Sequence, residues 1–195
     1  MDEVKITKND IRTGITEKLK TLSEAEIVAK STIIENKLFE FANFIESKIV
    51  LLYVNRKNEV PTGQILKRSF NYNKILVLPA FNPDTNKMTP LKIDNLASDL
   101  RPGPKRILEP NGNRCKIVPI EYLDIVIIPG WAFDEKGGRL GSGEGYYDRL
   151  IPKLSVTTRK VALAYECQLI PQIPMESHDK HVDILITEER IIYKI

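Results

Sequence analysis

Cysteine, histidine and tryptophan are scarce in this 195-residue sequence, which holds two, two and one of them. Cys115 and Cys167 form neither a C-x-x-C pair nor any zinc-binding spacing, so redox and zinc motifs are excluded. They read as buried or inert thiols in a reducing compartment. His178 and His181 have H-x-x-H spacing, which invites a transition-metal reading. No further histidine exists in the chain and no zinc pattern applies, so they read as surface groups flanking the acidic Asp179. No apolar run approaches the ~20 residues that cross a bilayer, and "MDEVKITKNDIRTGITEKLK" (1–20) has no apolar core of a secretory signal. The expectation is a cytoplasmic protein with no membrane partner. Strong charge bias is missing too. The net charge of +3 suits a small anionic ligand and argues against nucleic acid, which leaves clustered basic residues on one face.

What remains is an ordinary soluble composition, 42% apolar and 28% charged, in line with globular proteins. A chain this long buries roughly 70% of its unfolded surface without staples. It reads as one domain over 1–195, with N-terminal helices in 1–46 packing on it. Residues 7–22 show Ile11, Ile15, Leu19 and Leu22 on one helical side. Ser23 and Glu26 make a capping box, which predicts a second helix over 24–44. The period then shortens. "KIVLLYV" (48–54), "KILVLPA" (74–80), "DIVIIPG" (124–130), "KVALAY" (160–165) and "VDILIT" (182–187) read as strands buried on both faces. Helix-length patterns at 63–70 and 146–154 lie between them. The fold class predicted is α/β, three layers, a mostly parallel sheet flanked by helices on both faces, with an N-terminal helical segment. Residues 81–95 suggest an antiparallel hairpin, and 101–110 a structured loop. Ligands of such sheets gather at the carboxyl ends of strands, which singles out 54–59, 130–148 and 166–181.

The 130–148 stretch contains "GGRLGSGEGYYDRL" (137–150), with Gly141, Gly143 and Gly145 at alternate positions before a helical pattern. Glycines permit positive φ and close backbone approach, and bared amides at a helix start can cradle phosphate. Arg139 could add charge-assisted bonds. The same glycines also fit a plain tight turn. Neither the P-loop G-x-x-x-x-G-K-[ST] nor the dinucleotide G-x-G-x-x-G is present. Lys8 and Arg12, one helical turn apart, could address one polyphosphate; on their own they read as a solvated helix face.

A longer string is more specific. "PGWAFDEKGGRLGSGEGYYDRL" (129–150) resembles the signature P-G-x-x-F-D-x-x-G-x-R-L-G-x-G-x-G-Y-Y-D-R of the 5-formyltetrahydrofolate cyclo-ligases, or methenyltetrahydrofolate synthetases, at every fixed position. "KNDIR" (8–12), "NEVPT" (58–62), "ILEP" (107–110) and "ECQLIPQIPMESHDKHVDILITEE" (166–189) match further landmarks in order, so the resemblance spans nearly the whole chain.

The resemblance implies an ATP- and Mg²⁺-dependent closure of 5-formyltetrahydrofolate, with or without a polyglutamate tail, to 5,10-methenyltetrahydrofolate, with release of ADP and phosphate. A phosphorylated formyl group, an iminium phosphate, would be the intermediate. By the same resemblance Lys8, Arg12 and Arg139 act on the ATP phosphates as the catalytic cations. Leu140, Gly141, Ser142, Gly143, Glu144, Gly145, Tyr146 and Tyr147 complete the nucleotide loop. Val54, Glu59 and Tyr147 bind the folate, and Asp148 and Asp179 associate with Mg²⁺. Read alone, Asp148 is equally a charge favoured by a helix dipole, and Glu59 an ordinary loop carboxylate. Trp131 fits either the folate pocket or the core. Glu144 has the wrong sign for a phosphate contact, which predicts that it points away or pairs with a nearby Lys or Arg. Two other readings stay open: a paralogue with the same nucleotide site and a non-folate substrate, or a nucleotide-binding module without turnover. A monomer is expected.

Overall fold

A computed structural model describes residues 7–103 and 107–194. The described residues open with three helices, α1 (Lys8–Lys20), α2 (Glu24–Glu40) and α3 (Ala42–Glu46). Thr7 and Asp10 cap α1 reciprocally, and Ser23 and Glu26 do the same for α2. Each box satisfies amides that a helix start leaves unpaired. The helix predicted over 24–44 is interrupted at Phe41, whose backbone is extended. That break lets Phe39, Phe41 and Phe44 all enter one core. The last carbonyls of this region are capped by Lys74, whose ammonium donates to Ile45 O at 2.8 Å and Ser47 O at 2.6 Å, and also to Phe44 O.

The central sheet has seven strands. Four inner pairings are parallel and join β1 (Ile49–Leu51), β2 (Ile75–Asn82), β6 (Ile125–Ile128), β9 (Arg159–Leu163) and β10 (Ile184–Ile186). The two edges are antiparallel, β3 (Lys87–Ile93) on β2 and β11 (Ile191–Tyr193) on β10. Strand β11 has no counterpart among the strands expected from sequence. The segment expected to be a loop at 101–110 instead carries a small ribbon, β4 (Leu100–Pro102) with β5 (Leu108–Pro110); residues 104–106 lie outside the described residues.

Strand side chains alternate between two cores, as a pleat with period two requires. Val50, Leu76, Leu78, Ile125, Ile127, Val161 and Leu163 meet α2, α3 and α4 (Gly63–Asn71) on one face. Leu51, Val77, Val126, Ile128 and Ala162 meet Tyr147 and Leu150 of α5 (Tyr146–Leu150) on the other. With both faces covered, the strands read as unbroken apolar runs. The helix predicted over 146–154 lasts five residues and passes into a 3₁₀ turn at Ile151–Lys153. Pro152 has no N–H to continue the α ladder.

The sheet order is β11-β10-β9-β6-β1-β2-β3. From β1 the chain builds β2 and β3 to one side, and then returns to lay β6, β9 and β10 on the other. The order therefore reverses between β1 and β6. Loops leaving adjacent strands at such a point diverge and open a crevice beyond their carboxyl ends.

Phe44 is fully buried and meets Phe39 edge-on at a centroid distance of 5.0 Å. Phe44→Ala should cost about 3–5 kcal/mol of stability, the usual range for deleting a buried aromatic, measured by urea unfolding with an unchanged m-value.

Candidate active site

Helix α1 owes its position to a small third core, where Ile11 and Ile15 pack on Ala132, Leu140 and Ile173. Ala132 and Leu140 belong to a two-residue hairpin, β7 (Ala132–Phe133) with β8 (Arg139–Leu140). Asp134 organises its turn. One carboxylate oxygen accepts from Lys136 N at 2.9 Å and Gly138 N at 2.8 Å, and the other from Ile173 N at 2.8 Å. With its apolar face anchored there, α1 holds Lys8 and Arg12 against the loops around the hairpin. Arg12 Nε donates to Gly141 O at 2.9 Å and Nη1 to Asn9 Oδ1 at 2.7 Å. Lys8 Nζ donates to Asp179 Oδ2 at 2.5 Å and lies 3.3 Å from Glu176 Oε1.

The loop after β8 has left-handed backbone at Gly143, φ 107°, and Gly145, φ 67°. Such values strain any residue with a Cβ. Gly141 is needed for a different reason: a Cβ there would lie 2.7 Å from Arg139 Nη1. Arg139 runs beneath the loop with its side chain 4% exposed. Its Nη1 donates to Pro129 O at 3.1 Å and its Nη2 to Asp148 Oδ2 at 2.9 Å. Nε is buried with no partner among the described residues. The second oxygen of Asp148 accepts from Lys180 N at 3.0 Å. Because α5 is only five residues long, the helix dipole expected to favour an anion here is small; the free amides and nearby cations carry that potential instead. Among the described residues, the amides of Gly141, Ser142 and Gly143 have no protein acceptor.

On the facing wall, the segment after β1 is braced from below. Thr62 Oγ1 donates to Tyr53 O at 2.6 Å, Tyr53 OH to Val60 O at 3.1 Å, and Gln168 Nε2 to Asn58 O at 3.1 Å and Trp131 O at 2.9 Å. Asn58 takes a left-handed φ of 71°, which asparagine tolerates. This turn presents Glu59, 9% exposed, with Oε2 accepting from Arg56 N at 2.8 Å. Burial pushes the Glu59 carboxyl above the usual range; the Arg56 amide and the Arg56 and Arg139 charges oppose that without reversing it. Asp179 goes the other way. Burial disfavours its charge, but Lys8 and the Glu176 amide outweigh it and hold the carboxyl low.

Both walls bound one cavity of about 300 Å³ at the carboxyl ends of β1, β2 and β6. Every site residue singled out from the sequence borders it: Lys8, Arg12, Val54, Glu59, the 139–147 stretch, Asp148 and Asp179. Trp131 is not among its lining residues; the residue is partly exposed, its indole Nε1 is buried without a partner among the described residues, and its backbone joins Leu140 and Gln168. Tyr147 OH is buried at the cavity without a partner among the described residues. The two cysteines are free, and burial raises both thiols, so neither is a reactive thiolate. Glu144 pairs with Arg56 at 2.7 Å. Sequence reasoning missed Arg56 as a residue, although it lies in the 54–59 segment and is followed by Lys57. It also missed Phe81, and it marked "ILEP" (107–110) without giving Ile107 or Leu108 a place at the site, because only folding brings β2 and the ribbon to this rim.

The 5-formyltetrahydrofolate cyclo-ligase family model matches residues 4–188. Mouse 5-formyltetrahydrofolate cyclo-ligase is 29% identical over 195 residues, 95% of this chain and 96% of that protein. The Haemophilus influenzae protein of the same name is 32% identical over 152 residues, 72% of this chain and 76% of its own length. Among solved structures, Aquifex aeolicus 5,10-methenyltetrahydrofolate synthetase superposes with a TM-score of 0.83 at 31% identity, covering 96% of this chain and 93% of that one. The Mycoplasma pneumoniae 5,10-methenyltetrahydrofolate synthetase shares the fold, with a TM-score of 0.75 at 22% identity over 94% of this chain and 99% of that one.

Two outcomes test this geometry. Arg139→Met leaves the Asp148 carboxylate largely buried beside no guanidinium, so stability should fall by about 3–5 kcal/mol. Adding Asp148→Asn should recover part of that loss, a non-additivity readable in urea unfolding. For Glu59, the raised pKa means that the folded state favours the protonated form. Its contribution to stability is therefore fully present below the ordinary glutamate range, about pH 4, and is lost as pH rises through the raised value. Glu59→Gln should raise the Tm at neutral pH by a few degrees, and that gain should vanish at about pH 4 in a thermal scan.

Proposed function

The chain belongs to the 5-formyltetrahydrofolate cyclo-ligase family, and on that premise we propose that it closes 5-formyltetrahydrofolate to 5,10-methenyltetrahydrofolate at the expense of ATP. The observation that carries this reading is the pairing of two unlike walls across one cavity. One wall is a glycine loop with free amides beside Lys8 and Arg12. The other is a buried carboxyl, Glu59, with Val54 and the Tyr147 hydroxyl. The first suits a triphosphate. The second suits a flat heterocycle that offers N–H donors, since a buried acceptor and hydroxyl need partners.

The chemistry needs both. A formyl oxygen on N5 is a poor leaving group. Transfer of the terminal phosphoryl group of ATP to that oxygen, with the N5 lone pair delocalised toward the formyl carbon, gives an iminium phosphate and ADP. N10 then attacks the carbon and loses its proton to solvent or phosphate. The C–O bond breaks, its electron pair leaves with phosphate, and the methenyl bridge remains. No covalent protein nucleophile is required. In this reading the chain's task is to hold the terminal phosphate in line with the formyl oxygen and to offset charge. Lys8 and Arg12 do so from α1. Arg139, with both Nη atoms engaged, contributes positive potential beneath the loop and fixes Asp148. Glu59 and Tyr147 orient the pterin, with Val54 packing on it.

Asp148 and Asp179 fit Mg²⁺. Both are carboxylates on the same cavity, and among the described residues no group of three His, Cys, Asp or Glu could hold a metal alone. One or two carboxylates completed by phosphate oxygens and water are what Mg²⁺ takes. When bound it would supply further charge neutralisation on the triphosphate.

The deciding experiment is an absorbance assay for the methenyl chromophore, using purified protein, ATP, Mg²⁺ and 5-formyltetrahydrofolate. Steady growth that stops on chelation with EDTA is expected. ATP binding without product would replace the enzyme reading with a nucleotide-binding module, and turnover only on another amide or acid would indicate a paralogue.

A further inference from the structure

The loop after β1 and the glycine loop touch through an ion pair. Arg56 Nη1 lies 2.7 Å from Glu144 Oε2 and donates to Ser142 Oγ at 3.3 Å. Ser142 Oγ in turn donates to Glu144 Oε2 at 3.3 Å. All three residues border the cavity, and the Arg56 and Glu144 side chains are 23% and 40% exposed. The backbone amide of Arg56, independently of its side chain, holds Glu59. Arg56 therefore stands at the seam between the proposed folate wall and the proposed phosphate wall. The glycine loop also carries, at its only acidic position between Gly141 and Gly145, a carboxylate placed where an incoming anion would be repelled.

Resting on the two-substrate reading above, we propose that Arg56 binds the terminal phosphate of ATP and that Glu144 is its built-in stand-in, released when the nucleotide arrives. The transferred phosphoryl group has to sit between its donor and the formyl oxygen, hence at the seam and not deep in the loop. Among the described residues, Arg56 is the guanidinium found there. A planar guanidinium stays charged at every relevant pH and matches phosphate oxygens two at a time. A dianionic terminal phosphate is a stronger partner for it than a half-exposed carboxylate, whose pair with arginine is weakened by solvent. The exchange releases Glu144 from Arg56, and the guanidinium keeps its charge paired throughout. Arg56 is thus a determinant of triphosphate over diphosphate, and Glu144 lowers affinity for any anion that fails to displace it.

The test is isothermal titration of the full-length protein with a non-hydrolysable ATP analogue and, separately, with ADP, for wild type, Arg56→Ala, Arg56→Lys and Glu144→Gln. Arg56→Ala should weaken the ATP analogue about tenfold or more, the scale of one lost charge-assisted hydrogen bond, and leave ADP nearly unchanged. Arg56→Lys should restore part of the loss. Glu144→Gln should tighten the ATP analogue several-fold. A thermal scan of each variant checks that it is folded. Equal weakening of both nucleotides by Arg56→Ala, or an analogue affinity indifferent to Glu144→Gln, would overturn the inference while leaving the nucleotide site intact. Absence of nucleotide binding in wild type would overturn the nucleotide reading itself.

Discussion

The position of β1 between β2 and β6 is the constraint on which the rest depends. Two stretches of chain leave the sheet at its carboxyl edge side by side and must then go opposite ways. The first turns through 54–62 into α4, while the second runs through the β7–β8 hairpin and the glycine loop into α5. The space between them is left to the side chains that each loop can spare. Leu51, Leu52 and Ile125 to Ile128 are almost wholly buried, so the strands cannot shift to close the gap without exposing both cores.

Charge is arranged around that gap in pairs. Lys8 meets Asp179, Arg139 meets Asp148, and Arg56 meets Glu144. Taking a charge out of water is costly unless a partner compensates, so these three cations are held at the cavity already paired. The three pairs differ in burial. The deepest, Arg139–Asp148, is part of the scaffold and supports the loop from below. The shallowest, Arg56–Glu144, is the one easiest to exchange. Glu59 and Arg12 stand outside these pairs: Glu59 is a carboxyl raised by burial whose hydrogen bond comes from a backbone amide, and Arg12 donates to Gly141 O and Asn9 Oδ1.

Several residues of the matched motifs act on the backbone. Asp134 ties the hairpin turn to residue 173, Thr62 ties the loop to the end of β1, and Gln168 braces two loops at once. Their polar groups substitute for water in segments that have no ladder partner, which is the condition for holding irregular backbone beneath a cavity.

Local patterns determined the elements of this protein. Apolar runs with β-branched residues suit strands covered on both faces, and the Ser23–Glu26 box marks a helix start, so the parallel sheet and the first helices were legible. The glycine loop, its place after a strand and the residues around it were legible for the same reason, since left-handed backbone and close approach select glycine locally. What tertiary structure alone decided was partnership. The break at Phe41 answers a core that no short window contains, and the depth of Arg139 and the contact of Arg56 with Glu144 depend on groups 9 and 88 residues away in the chain. The β4–β5 ribbon and the pairing of β11 join near neighbours, but their strands are three residues long, too short to show a period. Burial and ion pairing are set by what another segment brings to the same place, and sequence periodicity carries no information about that distance.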